Sequence, residues 1–153
     1  MIAERYEIVR AIGHGSFGRT FLARDTVAGR DVALKLLDQR ADVDLKALEL
    51  FEREAAVLRS TRHQGIPEVF DFLRVEWEGT PASLLVMEYV EGSSLATMIE
   101  ERRQLDPSEV MHLFLEMLGI LEYLHALVPP VVHRDIKPSN IIMRPNGLPA
   151  LAF

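Results

Sequence analysis

The first forty residues contain three strand-length segments separated by short turn-forming pieces, and this pattern limits the fold more than any other feature of the chain. The segments read YEIVRAI, RTFLARD and DVALKLL, and the pieces between them read GHGSFG and TVAGR. Connections this short join antiparallel neighbours, because a parallel pair needs a crossover of about a dozen residues or more. The pattern therefore predicts three consecutive antiparallel strands.

The segment that follows extends this sheet-rich first part. A single apolar stripe predicts a helix from about Leu45 to Arg59. Two more strands are predicted around VFDFLRV and ASLLVMEYV, and they are joined through a turn that Gly79 and Pro81 favour. The expected class is α+β, with a five-stranded antiparallel sheet and one helix.

The second part of the chain is predicted to be mainly helical up to His125. Asp106 can cap a helix, Pro107 suits its first turn, and Glu109 completes a capping box. Seven apolar residues then repeat at helical spacing and predict a wide buried face: Val110, Leu113, Phe114, Met117, Leu118, Leu121 and Leu124.

The helix is expected to end at Pro129 and Pro130. A short strand NIIMR, a turn at Asn146 and Gly147, and a last strand from about Pro149 follow it. We place the boundary of the two domains near Gly92, with residues 1–91 in the first and 92–153 in the second.

Composition favours a soluble, cytoplasmic globular chain. Of 153 residues, 48% are hydrophobic and 26% charged, and the net charge of -6 gives no general attraction to nucleic acid. The sequence has no cysteine, which fits a reducing compartment, and no apolar run long enough to cross a bilayer. We expect neither a nucleic-acid partner nor a membrane segment.

The glycines from Gly13 to Gly18 form a G-x-G-x-x-G pattern, which by itself also occurs in plain hairpin turns. In a dinucleotide-binding fold the last glycine opens a helix, whereas RTFLARD, which follows here, favours a strand. A glycine-rich hairpin allows the backbone to approach a polyphosphate closely.

Lys35 interrupts a strand whose other residues suit burial. It could be an ordinary edge lysine. A buried cation, however, needs an anionic partner, because an unpaired buried charge is very costly. Glu54 is the natural candidate from its place on the predicted helix, and Glu52 and Glu49 are rivals by position.

The segment from His133 to Asn140 reads HRDIKPSN and matches H-R-D-x-x-x-x-N. In that pattern the aspartate accepts the proton of an attacking hydroxyl, and the asparagine holds a metal ion that bridges phosphates. The alternative interpretation is an ordinary polar surface loop after a helix, without a catalytic role. It does not explain why four residues of the required types fall at the required offsets.

These motifs together resemble the first half or so of a protein kinase catalytic domain, most closely the bacterial serine/threonine kinases of eukaryotic type. The matching segments, in order, are IGHGSFGRT, VALK, FEREAAVL, LLVMEYVEGSSL and VVHRDIKPSNII. The resemblance implies a protein-kinase-like N-lobe and an incomplete helical C-lobe, with ATP and Mg²⁺ as cofactors and a protein serine or threonine as substrate.

The resemblance also implies roles for single residues. Asp135 would be the catalytic base, Lys137 would neutralise the transferring phosphoryl group, and Asn140 would bind Mg²⁺. Lys35 would contact the α and β phosphates and pair with Glu54. The implied nucleotide-binding set comprises Lys35 and Glu54 together with Ile12, Gly13, His14, Gly15, Ser16, Phe17, Gly18, Arg19, Thr20, Ala33, Met87, Glu88, Val90 and Ile142.

The aspartate of the family's next motif, Asp-Phe-Gly, is missing, since no aspartate follows Asp135. Aligning NGLPALAF with the usual strand and motif places Phe153 where the aspartate is expected; alternatively one residue has dropped out and Phe153 is the motif's phenylalanine. We therefore expect a domain truncated before or at this motif. Part of the 110–124 stripe would then be exposed, which predicts aggregation, a protein partner over residues 107–125, or a longer reading frame.

Three functions follow from these patterns. The first is a serine/threonine protein kinase sequence that is incomplete as an isolated chain. The second is a catalytically inactive nucleotide-binding or interaction module, similar to a pseudokinase fragment. The third, a dinucleotide-binding oxidoreductase, depends on the glycines alone and lacks the alternation of strands and helices that it requires.

Overall fold

Five antiparallel strands form one sheet in the computed structural model of the chain, which describes residues 1–15, 18–38, 52 and 55–153. The strands are β1 Tyr6–Gly15, β2 Gly18–Asp25, β3 Arg30–Asp38, β4 Val69–Trp77 and β5 Thr80–Glu88. Their order in the sheet is β1-β2-β3-β5-β4. The five predicted strands and their antiparallel pairing are thus confirmed.

Strands β3 and β5 are the most apolar strands and lie inside the sheet. Val32, Leu34 and Leu36 of β3 are buried in the same core as Leu84 and Val86 of β5. Their residues are buried on both sides of the sheet, which explains why these two segments read as almost continuous apolar runs instead of alternating ones.

Most of the helix predicted from Leu45 to Arg59 lies outside the described residues. Residue 52 and residues 55–59 are helical, and Ala55 and Leu58 are buried as the apolar stripe predicts. The side chain of Glu52 accepts a hydrogen bond from Arg74 at 3.1 Å.

The chain falls into two compact units, one formed by Met1–Thr61 and Glu68–Tyr89 and the other by Arg62–Pro67 and Val90–Phe153. The second unit contains helices α1 Leu95–Glu100 and α2 Pro107–Ala126. A short sheet of β6 Ser93–Ser94, β7 Ile141–Met143 and β8 Pro149–Leu151 completes it. The predicted last two strands and the turn between them are confirmed, with Ile141 opposite Leu151.

Helix α2 begins as predicted, but the side of the helix that is buried differs from the predicted stripe. Asp106 accepts hydrogen bonds from the N–H groups of Ser108 and Glu109, and the Glu109 carboxylate accepts one from the Asp106 N–H, so the capping box is formed. The residues of α2 that are buried are Met117, Ile120 and Leu124.

The predicted wide buried face is therefore wrong for Val110, Phe114 and Leu118, which are exposed. Ile120, outside the predicted stripe, is only 1% exposed because it packs beside Gly65. The expectation that part of the stripe is exposed holds. Among the described residues, the helices are too short or too polar to span a bilayer.

Candidate active site

The glycine-rich segment forms the hairpin between β1 and β2, as the strand after Gly18 predicts. Gly13 lies opposite Thr20, His14 opposite Arg19, and Gly15 opposite Gly18. Ser16 and Phe17 lie outside the described residues. The backbone of Gly18 has φ of 141° and passes close to the Leu36 carbonyl oxygen, so a side chain there would clash as well as strain the backbone.

Lys35 lies in the middle of β3, opposite Thr20 on one neighbouring strand and Leu85 on the other. It is half-buried, while Leu34 and Leu36 on either side of it are almost fully buried. The cation is thus set in an apolar strand, as predicted. Glu54 and Glu49, two of its three candidate partners, lie outside the described residues.

The residues predicted to line the adenine site lie on β1, β2, β3 and β5 of the first unit and at two positions of the second unit. Ala33 and Met87 lie opposite each other in β3 and β5, and both are buried. The N–H of Glu88 donates to the Glu68 carbonyl at 2.8 Å, which holds the end of β5 against the start of β4. Ile12 is 36% exposed, and Val90 and Ile142 belong to the second unit.

The HRDIKPSN segment is a loop that ends in a 3₁₀ turn, Pro138–Asn140, directly before β7. Arg134 has φ of 63°, in the left-handed region, which costs a non-glycine residue about 1–2 kcal/mol. A sharp backbone turn therefore separates His133, which is buried, from Asp135, whose side chain is 42% exposed.

Asp135, Lys137 and Asn140 meet in one cluster. The Lys137 ammonium nitrogen lies 2.8 Å from Asp135 Oδ2. The Asn140 side-chain amide donates to the same oxygen at 2.9 Å and to the Asp135 backbone carbonyl at 2.8 Å. The structure thus brings together Asp135 and Asn140, which the motif predicts, and Lys137, which the resemblance adds. Two donors hold the Asp135 carboxylate in place.

His133 connects the start of this loop to the last residues of the chain. The Asp135 N–H donates to His133 Nδ1 at 3.3 Å, and His133 Nε2 lies 2.7 Å from the Ala152 carbonyl oxygen. Both contacts fit the tautomer in which Nε2 carries the hydrogen and donates it. The Phe153 ring packs against the imidazole at a centroid distance of 4.4 Å.

The donor set fits Mg²⁺ only in part. Both amide hydrogens used by Asn140 point toward Asp135, so its oxygen is the atom suited to a metal. Opposite Asn140, however, lies Ala152, which has no side-chain oxygen. Among the described residues there is no group of three or more histidine, cysteine, aspartate or glutamate side chains placed to hold a metal. The residues present therefore do not form the two-ligand magnesium site of the H-R-D and D-F-G motifs.

The sequence comparison identifies the family. Residues 6–151 match the protein kinase domain. The chain therefore belongs to the protein kinase family, and the α+β kinase fold and the resemblance to serine/threonine kinases are confirmed.

Bacterial serine/threonine kinases are among the similar proteins. The chain is 35% identical to the probable serine/threonine-protein kinase PknB of Corynebacterium glutamicum over 96% of its length, and this covers 22% of that protein. It is 37% identical to a probable serine/threonine-protein kinase of Streptomyces coelicolor over 94% of its length, covering 21% of that protein. It is 34% identical to the serine/threonine-protein kinase PrkC of Bacillus subtilis over 95% of its length, covering 22% of that protein. The chain thus spans about a fifth of the length of these relatives.

Sequence reasoning missed the anchoring roles of His133 and Ala152. A histidine that follows two valines and precedes a charged pair gives a weak signal for burial. The contact of its ring with residues 19 and 20 positions later could not be found from local patterns. His63 has structural contacts: its Nδ1 accepts from the Gly65 N–H at 3.0 Å, and its ring packs on Tyr123.

Proposed function

We propose that this chain carries the nucleotide-binding and hydroxyl-activating residues of a serine/threonine protein kinase. The observation that carries the proposal is the cluster in which Lys137 and Asn140 each lie within hydrogen-bonding distance of the Asp135 carboxylate. Membership of the protein kinase family supports it. The names of the bacterial relatives support serine and threonine as acceptors.

In the proposed reaction Asp135 orients a serine or threonine hydroxyl and accepts its proton as the oxygen attacks the γ-phosphorus of ATP. The bond from the γ-phosphorus to the bridging oxygen breaks, and ADP leaves with that oxygen. Lys137 offsets negative charge on the transferring group, because its ammonium lies beside the base. The exposure of Asp135 allows a hydroxyl of a protein substrate to reach the carboxylate.

The proposed nucleotide-binding roles of single residues follow the motifs of the family. Lys35 would contact the α and β phosphates, with Glu54 as its proposed partner, and the glycine-rich hairpin from Gly13 to Arg19 would cover them. The Glu88 N–H is bonded to Glu68, so we propose its carbonyl as the adenine contact and the backbone of Val90 as the second. Ile12, Thr20, Ala33 and Met87 are proposed to contact the ring.

Asn140 is the proposed contact for a metal ion that arrives with the nucleotide. The boundary of the two predicted domains near Gly92, a cytoplasmic location and a protein partner over residues 107–125 also stay predictions. The alternative of an inactive nucleotide-binding module is not favoured by the relatives, which are kinases by name.

Phosphoryl transfer from labelled ATP to a mixture of serine- and threonine-containing peptides tests the proposal. The chain is compared with Lys35→Ala, Asp135→Asn and the control Asp31→Asn, which removes another exposed carboxylate paired to a cation, Arg24, at 2.9 Å. We expect Asp135→Asn, which removes the proposed base, and Lys35→Ala, which removes the proposed phosphate contact, each to lower transfer by about 10² fold or more. Asp31→Asn should leave it unchanged.

Lack of transfer by the parent chain, with ATP binding that depends on Lys35, would instead support the inactive nucleotide-binding module. Transfer that persists in Asp135→Asn would contradict the role of Asp135 as base. Melting curves of each variant show whether a lost activity reflects a lost fold.

A further inference from the structure

Ala152 lies directly across from Asn140, where β7 and β8 meet the catalytic loop. The strand register ends with Ile141 opposite Leu151. Directly beyond that pair, the Ala152 N–H donates to the Asn140 carbonyl at 2.8 Å, so one more hydrogen bond joins the two segments. Opposed residues of an antiparallel pair have Cβ atoms about 4.5–5.5 Å apart on one face. The side chain at position 152 is therefore the cross-strand neighbour of the proposed metal ligand.

The backbone at Ala152 is fixed on both sides by the loop that holds Asp135. The Ala152 N–H donates to the carbonyl of Asn140, the last residue of the loop. The Ala152 carbonyl oxygen lies 2.7 Å from Nε2 of His133, the first residue of the loop. Phe153 then places its ring on His133. The order along the chain is thus a residue facing Asn140, followed by a phenylalanine, which is the order of the Asp-Phe-Gly motif with alanine in place of aspartate.

We propose that Ala152 occupies the position of the metal-binding aspartate of the family, and that this chain therefore binds ATP with little dependence on Mg²⁺. The inference builds on the proposed function, since it requires ATP to bind. It decides between the two alignments of NGLPALAF in favour of Phe153 as the phenylalanine of the motif.

The chemistry of Mg²⁺ gives the reason. This ion prefers carboxylate and phosphate oxygens in near-ideal octahedral geometry and leaves its waters reluctantly. A methyl group at position 152 offers no oxygen, and the nearby Asp135 carboxylate is paired with Lys137 at 2.8 Å. One neutral amide oxygen, from Asn140, adds little to the affinity that the phosphates themselves have for the ion.

The test is titration calorimetry of ATP with and without Mg²⁺, the latter in the presence of EDTA. For the parent chain we expect the two dissociation constants to agree within about threefold, well under the tenfold that corresponds to 1.4 kcal/mol. Ala152→Asp supplies the missing carboxylate, and its ATP affinity should rise about tenfold or more on adding Mg²⁺, the scale of a well-placed metal contact.

Phe153→Asp is the matched control, because it puts the same carboxylate at the position required by the other alignment. It should show no more dependence on Mg²⁺ than the parent. Ala152→Asn, which offers a neutral oxygen, is the second variant, and its smaller expected gain keeps the measurement possible if the aspartate lowers the melting temperature.

Each outcome bears on the assignment. A tenfold effect of Mg²⁺ on the parent, no effect in both Ala152 variants, or a gain in Phe153→Asp would overturn it. Intact ATP binding without phosphoryl transfer would overturn the proposed function alone. Absence of ATP binding by the parent and by Ala152→Asp alike would overturn both.

Discussion

Asp25 is a charged side chain with an accessibility of only 1%, and it orders the N-terminal end of the first unit. Its two carboxylate oxygens accept from Nε and Nη2 of Arg5 at 2.8 and 2.7 Å. The same carboxylate accepts from the N–H groups of Val27 and Ala28, in the turn between β2 and β3. Hydrogen bonds from Arg5 hold the pKa of Asp25 well below its ordinary value, against the effect of burial.

Asp25→Asn should lower the free energy of unfolding by about 2 kcal/mol at neutral pH, because charged hydrogen bonds of this kind contribute about 1.5–3 kcal/mol. Asp31→Asn is the control: its pair with Arg24 is about half exposed on both sides, and such pairs contribute at most about 1 kcal/mol. Urea unfolding followed by circular dichroism measures both. Equal losses in the two variants would contradict the importance of burial at Asp25.

The same contact predicts how stability varies with pH. The folded pKa of Asp25 lies below the unfolded one, so the folded state binds its proton less readily. The stabilisation is fully present above the unfolded value of about 4 and is lost as the pH falls further. The parent should therefore lose more stability between neutral and acidic pH than Asp25→Asn does. Parallel curves for the two chains would show that Asp25 does not contribute.

Helix α2 shows how a single glycine sets the packing of an element. Gly65 has no side chain, and a Cβ there would overlap the end of the Ile120 side chain. Its carbonyl also accepts from the Leu151 N–H at 2.8 Å, so the segment cannot easily move away. The close approach of Gly65 is what allows Ile120 to be buried.

Gly65→Ala and Gly119→Ala should therefore change stability in opposite directions. At Gly65 the added methyl overpacks the contact with Ile120, which typically costs about 1–3 kcal/mol. At Gly119, on the exposed side of the same helix, nothing lies within 4 Å of the added methyl, and alanine favours the helix by about 0.8–1 kcal/mol. Thermal unfolding of the two variants against the parent measures the difference. Stabilisation by both would mean that the segment around Gly65 yields without cost.

The chain as a whole exposes an apolar surface on α2, which we call the α2 face. Its members are Val110, Met111, Phe114, Leu115 and Leu118, each at least 46% exposed. Five large apolar side chains on three turns of one helix form a contiguous patch, and such patches favour association with other molecules. The chain is therefore expected to self-associate in isolation.

Phe114→Lys combined with Leu118→Lys should reduce this association and leave the melting temperature almost unchanged. Exposed substitutions shift stability by only about 0.5 kcal/mol, whereas a charge on a patch opposes contact between copies. Light scattering as a function of concentration measures association. Ile120→Lys, at a position that is 1% exposed, is the control that should unfold the second unit. A parent chain that stays monomeric at high concentration would contradict the expectation.

Local sequence patterns were sufficient to predict the secondary-structure elements and the motifs. The five strands, the capping box at Asp106 and the presence of β7 and β8 all follow from spacing, turn residues and caps that lie within a few positions of one another. The offsets within HRDIKPSN likewise predicted Asp135 and Asn140 as site residues, and the resemblance to protein kinases added Lys137. Such features are local because backbone geometry couples neighbouring residues.

Only the tertiary structure decided which side of α2 is buried and which residues Ala152 contacts. The sequence by itself determined that α2 is amphipathic, but which side is buried depends on Gly65, which lies 55 positions before Ile120. It also showed no aspartate between Asp135 and Phe153, but two alignments of NGLPALAF with the Asp-Phe-Gly motif stayed open. Only the contacts of Ala152 with His133 and Asn140 distinguish them, because residues distant in the chain become neighbours only when strands pair and side chains pack.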